Sequence, residues 1–523
     1  PLDVSHWGGA GFRTAPNFFN DVNLTTDKVT VMSKDSHVDN PNGVGFFGLV
    51  GMVVSSCIGT GVFALTGQLA NVASPGAALV AWVVCGLGFL MLALSLANIG
   101  SKRPDLDGAC AYAEEGFGPF HGFISGWGYW LSAWLGNVGF GTMIAQVLGS
   151  DYCLGTIMPG VFSDPVTGNP AVVGVVVVSL VLWGITFLVI RGVESAAAFN
   201  AIVMVIKIAS ILLFIAFSCF AFNAGVFTAD FWGTAARNAT IVAANDTELG
   251  SVANQVTQCI LIMMWVFIGV EGASVMSGRA KRKSEVGSAT IIGLIVLLTL
   301  YIGASVIPYG VVDYADLVAA PKPATITVFE QLAPGWGGAF ISWAIIISVC
   351  GSWLSFTMLP AEVSSMMADH GLLPKSWGEV NAKGAPQMAL IIVGALTEAF
   401  IIIATFAADA YTFAISMCTV TIVVTWAYAA AYQVKFSRER GETGQMLIGI
   451  LALVFQVVGV LFTGWGFLLL ACLGYIPGFL FYRKALSESG QSMDKGQVIC
   501  AVVIAILGII SILMTFAGII PVF

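Results

Sequence analysis

The sequence predicts an all-α polytopic membrane protein, and its composition supplies the main reasons. Of its 523 residues, 58% are hydrophobic and only 10% are charged, and the mean hydropathy is +0.91. Soluble domains carry about 25% charged residues, and no polar stretch of this chain is long enough to form one. The 60 Gly and 14 Trp are typical of helices that pack closely in lipid, with aromatic rings at the membrane interfaces.

Thirteen apolar segments follow one another along the chain, each close to the roughly 20 residues that a helix needs to cross the hydrocarbon layer. They cover residues 44–66, 76–99, 119–149, 171–190, 196–222, 255–278, 287–311, 336–368, 386–406, 410–434, 446–463, 465–482 and 497–520. Only residues 463–466 separate the eleventh segment from the twelfth. We therefore expect about 13 transmembrane helices.

The polar residues before the first segment predict a disordered cytoplasmic arm, residues 1–43, without a cleavable signal peptide. Within it, residues 1–31 precede the first methionine, Met32, and are expected to be an extension.

The distribution of cationic residues predicts the orientation of the chain in a cell membrane. With these segments, 15 Lys and Arg fall in loops on one side, whereas Arg237 and Lys322 fall in loops on the other. Cationic loop residues concentrate on the cytoplasmic side, so we expect a cytoplasmic N-terminus.

The composition also argues against several kinds of partner and site. A net charge of −8 disfavours nucleic acid, which binds clustered cationic residues. The ten Cys include no C-x-x-C pair, and the four His do not occur at metal-ligand spacing. We therefore expect no metal site and no cofactor. Because the sequence also shows no nucleophile–base pattern, we expect no enzyme activity.

The first and sixth segments are interrupted by small and polar residues, at 55–61 (Ser-Ser-Cys-Ile-Gly-Thr-Gly) and at 269–272 (Gly-Val-Glu-Gly). Glycine weakens a helix by about 1 kcal/mol relative to alanine, so both helices can unwind there. Interrupted helices at equivalent positions of two five-helix halves indicate the binding site of a secondary transporter. The alternative is that these glycines only permit close helix packing.

Unwound backbone leaves N–H and C=O groups that lipid cannot satisfy, and a zwitterionic amino acid could bind both. Its carboxylate suits the N–H groups of Thr60 and Gly61, at the positive end of a half-helix. Its ammonium suits the carbonyl groups near Cys57 and from Trp265 to Ile268. The two breaks therefore predict an amino acid site.

Two buried charged residues are candidates for gating or proton coupling. A carboxylate in the middle of a span, as at Glu271, is costly and marks a functional site by default; the alternative is a protonated structural residue. Lys207 is the only cationic residue deep in a span and could occupy the place of a sodium ion; the alternative is a side chain that snorkels to the interface. Glu398 adjoins no break, so we assign it to the scaffold.

Aromatic rings near the breaks could bind a cationic side chain. Most membrane tryptophans are interface or packing residues, and we assign Trp127, Trp130, Trp134 and Trp353 to that role. Trp265 and Phe356 adjoin polar breaks and are the expected ligand contacts.

Five motifs in order resemble the amino acid–polyamine–organocation (APC) superfamily, and within it the basic amino acid/polyamine antiporter family, especially its arginine–ornithine antiporters. The motifs lie at residues 59–63 (GTGVF), 112–120, 134–137 (WLGN), 265–275 (WVFIGVEGASV) and 369–374 (DHGLLP). The resemblance covers about residues 43–435, and the string at 265–275 is its most specific part.

This resemblance implies a LeuT-type 5+5 inverted repeat, with a ten-helix transport core at 44–434 and accessory transmembrane helices at 435–523. It implies that Thr60 and Gly61 bind the substrate carboxylate, that the backbone near Cys57, Trp265 and Ile268 binds the α-ammonium, and that Trp265 closes over the substrate. The positions matching the pocket around the distal cationic group are Ser132, Ala133, Asn137, Phe140 and Ser416. Glu271 matches a carboxylate linked to pH response or gating, and Lys207 matches a lysine that replaces sodium.

Three positions depart from the family pattern. Relatives that exchange arginine for agmatine have Trp where this chain has Phe356, one turn after Trp353. Thr425-Trp426 stands where relatives often have Pro-Tyr. The thirteenth segment exceeds the usual twelve, although arginine–ornithine members are expected to have it.

These features together predict an exchanger of cationic amino acids, with arginine and ornithine as the expected pair and membrane lipid as its surroundings. Lysine, histidine or a polyamine is an alternative cargo, and a proton-coupled symporter that uses Lys207 or Glu271 is an alternative mechanism. A receptor on the same scaffold would need a longer cytoplasmic segment, and a channel would need acidic rings or a carbonyl filter. The sequence leaves open whether the protein is a homodimer.

Overall fold

The computed structural model describes residues 45–520, apart from 104, 107, 192–193, 234–238, 240–247, 273–279, 283–284 and 407–408. The described part of the chain consists of helices and connecting loops and contains no β-strand. The predicted N-terminal arm lies outside the described residues.

The helices of the first half are α1 (Phe46–Cys57), α2 (Gly61–Ala70), α3 (Pro75–Lys102), α4 (Gly108–Phe117), α5 (Pro119–Leu148), α6 (Val172–Arg191), α7 (Glu194–Ala221), α8 (Ala224–Thr228) and α9 (Val252–Val266). Those that follow are α10 (Val286–Val306), α11 (Tyr314–Ala319), α12 (Ala324–Leu332), α13 (Gly337–Asp369), α14 (Gln387–Ala404), α15 (Ala410–Glu439), α16 (Thr443–Thr463), α17 (Trp465–Glu488) and α18 (Lys495–Phe516). Short 3₁₀ turns at Ile307–Gly310 and Lys375–Trp377 follow α10 and α13.

The described helices match an all-α membrane protein. Ten of them are long and apolar enough to cross a bilayer, and α1 with α2 forms an eleventh span that bends by 48° at its break. The predicted sixth and ninth spans contain shorter apolar helices, Val252–Val266 and Gln387–Ile403. The total of thirteen spans and the 5+5 repeat stay predictions.

The two interruptions differ in form but meet in space. Helix α1 ends at Cys57 and α2 begins at Gly61, whereas α9 ends at Val266 and the chain then turns through residues 267–271. Gly269 has φ +107°, and a Cβ there would lie 2.9 Å from the carbonyl carbon of Ser56. Only glycine tolerates both this conformation and this contact, so Gly269 lets the second break lie against the first.

Helices α5 and α15 form the centre of the molecule. The buried share of an apolar 18-residue stretch is 100% in α5 and 78% in α15, whereas it is 11% in α18. Most of α18 therefore lies on the outside of the helix bundle, and this helix has the highest hydropathy of the ten. Helix α15 extends to Glu439, and the division into 44–434 and 435–523 stays a prediction.

Candidate substrate-binding site

The two breaks enclose a small cavity. It has a volume of about 10 Å³ and is lined by Ser56, Cys57, Gly59, Thr60, Gly61, Phe140, Trp265, Val266, Ile268 and Phe356. Seven of the eleven predicted substrate-binding residues belong to this set: Cys57, Thr60, Gly61, Phe140, Trp265, Ile268 and Phe356. The structure therefore brings together residues from α1, α2, α5, α9 and α13.

The start of α2 offers hydrogen-bond donors to this cavity. The first N–H groups of a helix have no partner within it, and the helix dipole makes this end positive. Thr60 precedes α2, and its carbonyl oxygen accepts the N–H groups of Phe63 and Ala64 at 3.2 Å. A Cβ at Gly61 would lie 3.1 Å from Nε1 of Trp265. The glycine thus allows the indole to lie directly against the donors of α2.

The turn after α9 presents carbonyl groups that no longer belong to a helix. Protein groups satisfy several of them. The Tyr301 hydroxyl donates to the Val266 carbonyl oxygen at 2.8 Å, and the Val270 N–H donates to that of Phe267 at 3.0 Å. The Cys57 thiol also donates to the Phe267 carbonyl, at 3.7 Å. These bonds hold the turn in an irregular conformation beside the cavity.

Lys207 lies fully buried on α7, and its ammonium reaches the break of the first span. Nζ donates to the carbonyl oxygens of Ser55 and Ile58, each at 2.9 Å, and to Ser352 Oγ at 3.4 Å. The Ser352 hydroxyl donates in turn to the Ile58 carbonyl at 2.9 Å. The ammonium therefore binds carbonyl groups at the end of α1 and does not extend to a membrane surface.

Glu271 lies at the end of the turn after α9 and is 1% exposed. Its Oε2 accepts a hydrogen bond from Trp426 Nε1 at 3.1 Å, and Tyr129 also hydrogen-bonds this carboxyl group. Trp426 thus supplies a donor at the position where relatives often have a tyrosine. The neighbouring Thr425 hydroxyl donates to the Ser125 carbonyl at 2.7 Å.

Helix α13 carries Trp353 and Phe356, and of these two aromatic residues only Phe356 lines the cavity. Its ring packs edge-on against Phe140, with centroids 5.2 Å apart. Trp353 is fully buried and contacts the Gly141 side of α5. Trp127, Trp130 and Trp134 pack against one another in succession along α5 and do not line the cavity.

Four residues predicted around the distal cation, Ser132, Ala133, Asn137 and Ser416, do not line the cavity in this conformation. Asn137 Nδ2 donates to the Phe356 carbonyl at 3.4 Å, and Ser132 Oγ lies 3.2 Å from Cys418 Sγ. At about 10 Å³ the cavity is far below the roughly 300–1,000 Å³ of typical ligand pockets, so it must open to hold an amino acid.

Sequence reasoning missed three residues that contact the breaks: Tyr301, Ser352 and Tyr411. The Tyr411 hydroxyl donates to Thr60 Oγ1 at 3.0 Å. None of the three lies in a motif or next to a glycine pair. Their roles follow from interhelical contacts, for which a single sequence carries no local signal.

Comparison with known proteins gives a consistent result over most of the chain. Residues 44–504 match a family model described as amino acid permease. The chain is 44% identical to the arginine/ornithine antiporter of Latilactobacillus sakei, over 91% of this chain and 97% of that protein. It is 35% identical to the arginine/ornithine antiporter of Pseudomonas aeruginosa, over 88% of this chain and 95% of that protein. It is 32% identical to the arginine/agmatine antiporter of Chlamydia caviae, over 90% of this chain and 96% of that protein.

The helical membrane architecture, the broken first span and these matches agree with one another. The chain belongs to the amino acid permease family of the APC superfamily.

Proposed function

We propose that this protein exchanges cationic amino acids across the cell membrane, with arginine and ornithine as its pair. The observation that carries the proposal is the cavity at which a helix N-terminus, an unwound turn and three aromatic rings meet. Relatives with 32–44% identity over most of the chain are named as antiporters of arginine with ornithine or agmatine. Like them, the chain would transport its substrate without making or breaking a covalent bond.

In this proposal each part of the substrate has a partner of suitable chemistry. The carboxylate binds the N–H groups of Thr60 and Gly61, because the start of α2 offers free donors and a positive dipole. The α-ammonium binds backbone carbonyl groups near Cys57 and Ile268. The side-chain cation lies against Phe356, because aromatic faces attract cations, with Ser132, Ala133, Asn137 and Ser416 joining the pocket once that ring moves.

Exchange follows from the way the substrate joins two broken helices. Bound between α2 and the turn after α9, it favours the conformations that carry the site from one side of the membrane to the other. Arginine and ornithine each carry one net positive charge, so their exchange moves no net charge. Lys207 supplies a cation at the break, so exchange needs no sodium ion.

The orientation is part of the proposal. In the predicted topology, fifteen cationic loop residues fall on the side that we assign to the cytoplasm, together with the N-terminus. Lys322 and the start of α15 lie on the opposite side, which faces the exterior.

Counterflow tests the proposed function. Purified protein in liposomes loaded with ornithine is expected to take up labelled arginine, whereas empty liposomes take up none. Equal uptake into empty liposomes would indicate a uniporter or, if a pH gradient drives it, a proton-coupled symporter. No uptake under either condition would contradict the assigned substrate pair.

A further inference from the structure

A second and larger cavity lies beside the substrate site, on the side assigned to the exterior. Its volume of about 220 Å³ is just below the roughly 300–1,000 Å³ range of ligand pockets, against about 10 Å³ for the substrate site. Ala64, Gly67 and Gln68 of α2 line it with Asn71 just after that helix, together with the end of α5, the segment 320–324 and the start of α15. We call this space the outer cavity.

Tyr411 separates the outer cavity from the substrate site. Its side chain lines the outer cavity, is 4% exposed, and donates its hydroxyl proton to Thr60 Oγ1 at 3.0 Å. Thr60 lines the inner cavity and begins the donor array of α2. A substrate that passes from the outer cavity to the inner one must therefore displace this hydrogen bond.

An ion pair forms part of the wall of the outer cavity. Lys322 Nζ lies 2.7 Å from Asp409 Oδ2, with side chains that are 53% and 27% exposed. Asp409 Oδ1 also accepts the Thr412 N–H at 2.9 Å and so caps α15. Exposed ion pairs contribute little to stability, and a ligand that carries both charges can replace this one.

Two amide side chains in the same wall have unsatisfied hydrogen-bonding atoms. Gln146 is 4% exposed, and its Nε2 has no hydrogen-bond partner among the described residues; the same holds for Oε1 of Gln68. Buried polar atoms are normally hydrogen-bonded to protein, water or ligand. A donor and an acceptor are therefore available in the wall of a cavity that also holds one cation and one anion.

We propose that the outer cavity is a second binding site for a cationic amino acid, occupied before the substrate reaches the inner cavity. Asp409 binds the cationic group of the substrate in place of Lys322, and Lys322 binds the carboxylate that the substrate brings. Asp409 and Tyr411 lie two residues apart at the start of α15, so occupancy at the ion pair is coupled to the side chain that covers Thr60. This inference rests on the proposed function and adds to it a binding step that occurs only from the exterior.

The test compares half-saturation on the two sides of the membrane. In vesicles of known orientation, Asp409→Asn is expected to raise the external arginine concentration for half-maximal exchange about tenfold and to leave that for internal ornithine unchanged. Asparagine is as good a helix cap as aspartate, so α15 keeps its N-terminus. Asp313→Asn is the matched control, because Asp313 is exposed on the same side and does not line the outer cavity.

Lys322→Gln distinguishes a binding site from a latch, meaning an ion pair that only keeps the outer cavity closed. Binding of the substrate carboxylate by Lys322 predicts a higher external half-saturation in this variant too. A latch predicts the opposite, faster exchange with an unchanged or lower external half-saturation, and that result in either variant would overturn the proposal. An equal rise in the half-saturation concentrations of external arginine and internal ornithine would also overturn it, because a site that opens only to the exterior would not change the internal value.

Calorimetric titration of the purified protein with arginine measures binding to the outer site independently of transport. Two binding events per chain are expected in the wild type and one in Asp409→Asn, whereas a single event in both would contradict an outer site. If the wild type shows two events but no exchange for ornithine, the proposed function fails and the outer site stands. If arginine does not bind at all, both proposals fail.

Discussion

At the scale of single residues, two buried charged side chains meet the breaks in different ways. Lys207 binds two carbonyl groups at the end of α1, whereas Glu271 receives a hydrogen bond from an indole of α15. Buried charged groups are costly in a membrane and need such partners. Each contact therefore leads to a separate prediction.

Replacing Lys207 with alanine is expected to slow exchange at least tenfold and to lower the unfolding temperature. The change removes hydrogen bonds from a charged donor, each worth about 1.5–3 kcal/mol, and leaves the carbonyls of Ser55 and Ile58 without their cation. Added sodium is expected to restore part of the rate. Lys435→Ala is the matched control, because Lys435 also donates to a backbone carbonyl, that of Gly116, away from the cavity. Wild-type kinetics in Lys207→Ala would contradict a role at the break.

Replacing Glu271 with glutamine is expected to flatten the pH dependence of exchange. Glutamine keeps an oxygen that can accept from Trp426 Nε1 but cannot carry the charge, so the response to protons is lost while the shape is kept. Exchange rates measured across a pH series provide the readout. Glu398→Gln is the control, since Glu398 is a second carboxyl group within a membrane helix and accepts from Ser179 at 2.6 Å away from the breaks. An unaltered profile in Glu271→Gln would assign the residue a structural role.

At the scale of elements, the proposed site depends on the contact between the break of the first span and the turn after α9. Neither α1 nor the turn after α9 forms the site by itself, because the donors lie at the start of α2 and the carbonyl groups lie in the turn. Gly269 allows the two to touch, and its positive φ and its distance from Ser56 leave no room for a side chain.

Replacing Gly269 with alanine is expected to abolish exchange and to lower the free energy of unfolding by more than the roughly 1–3 kcal/mol that a strained backbone conformation costs. Gly335→Ala is the control, because Gly335 has φ +85° and a Cβ added there would meet no atom within 4 Å. That control carries the backbone strain without the contact. Similar losses in both variants, measured by thermal unfolding and by counterflow, would show that the contact with Ser56 is unimportant.

At the scale of the whole molecule, the two cavities are unequal and lie in sequence. The outer cavity has a volume of about 220 Å³ and the inner cavity about 10 Å³. Tyr411 lines the outer cavity and donates to Thr60 of the inner one, and Phe356 lines the inner cavity and accepts a hydrogen bond from Asn137 at its carbonyl oxygen. The described conformation thus has a roomy approach from one side and a contracted centre, as expected of one state in an alternating-access cycle.

The sequence by itself determined the membrane class, the family and the positions of the breaks. Hydropathy reports how each segment meets lipid, and paired glycines report where a helix is weak; both are local properties. For the same reason, five of the seven predicted residues that line the inner cavity, Cys57, Thr60, Gly61, Trp265 and Ile268, could be found next to the breaks in the sequence.

Only the tertiary structure decided which distant side chains complete the site. Tyr411 reaches Thr60 across 351 positions of sequence, and Lys207 reaches Ser55 across 152. It also left Ser132 and Asn137 outside the cavity lining and revealed the outer cavity beside Asp409. Such contacts depend on how whole helices pack, and neither periodicity nor composition records the distance between helices far apart in the chain.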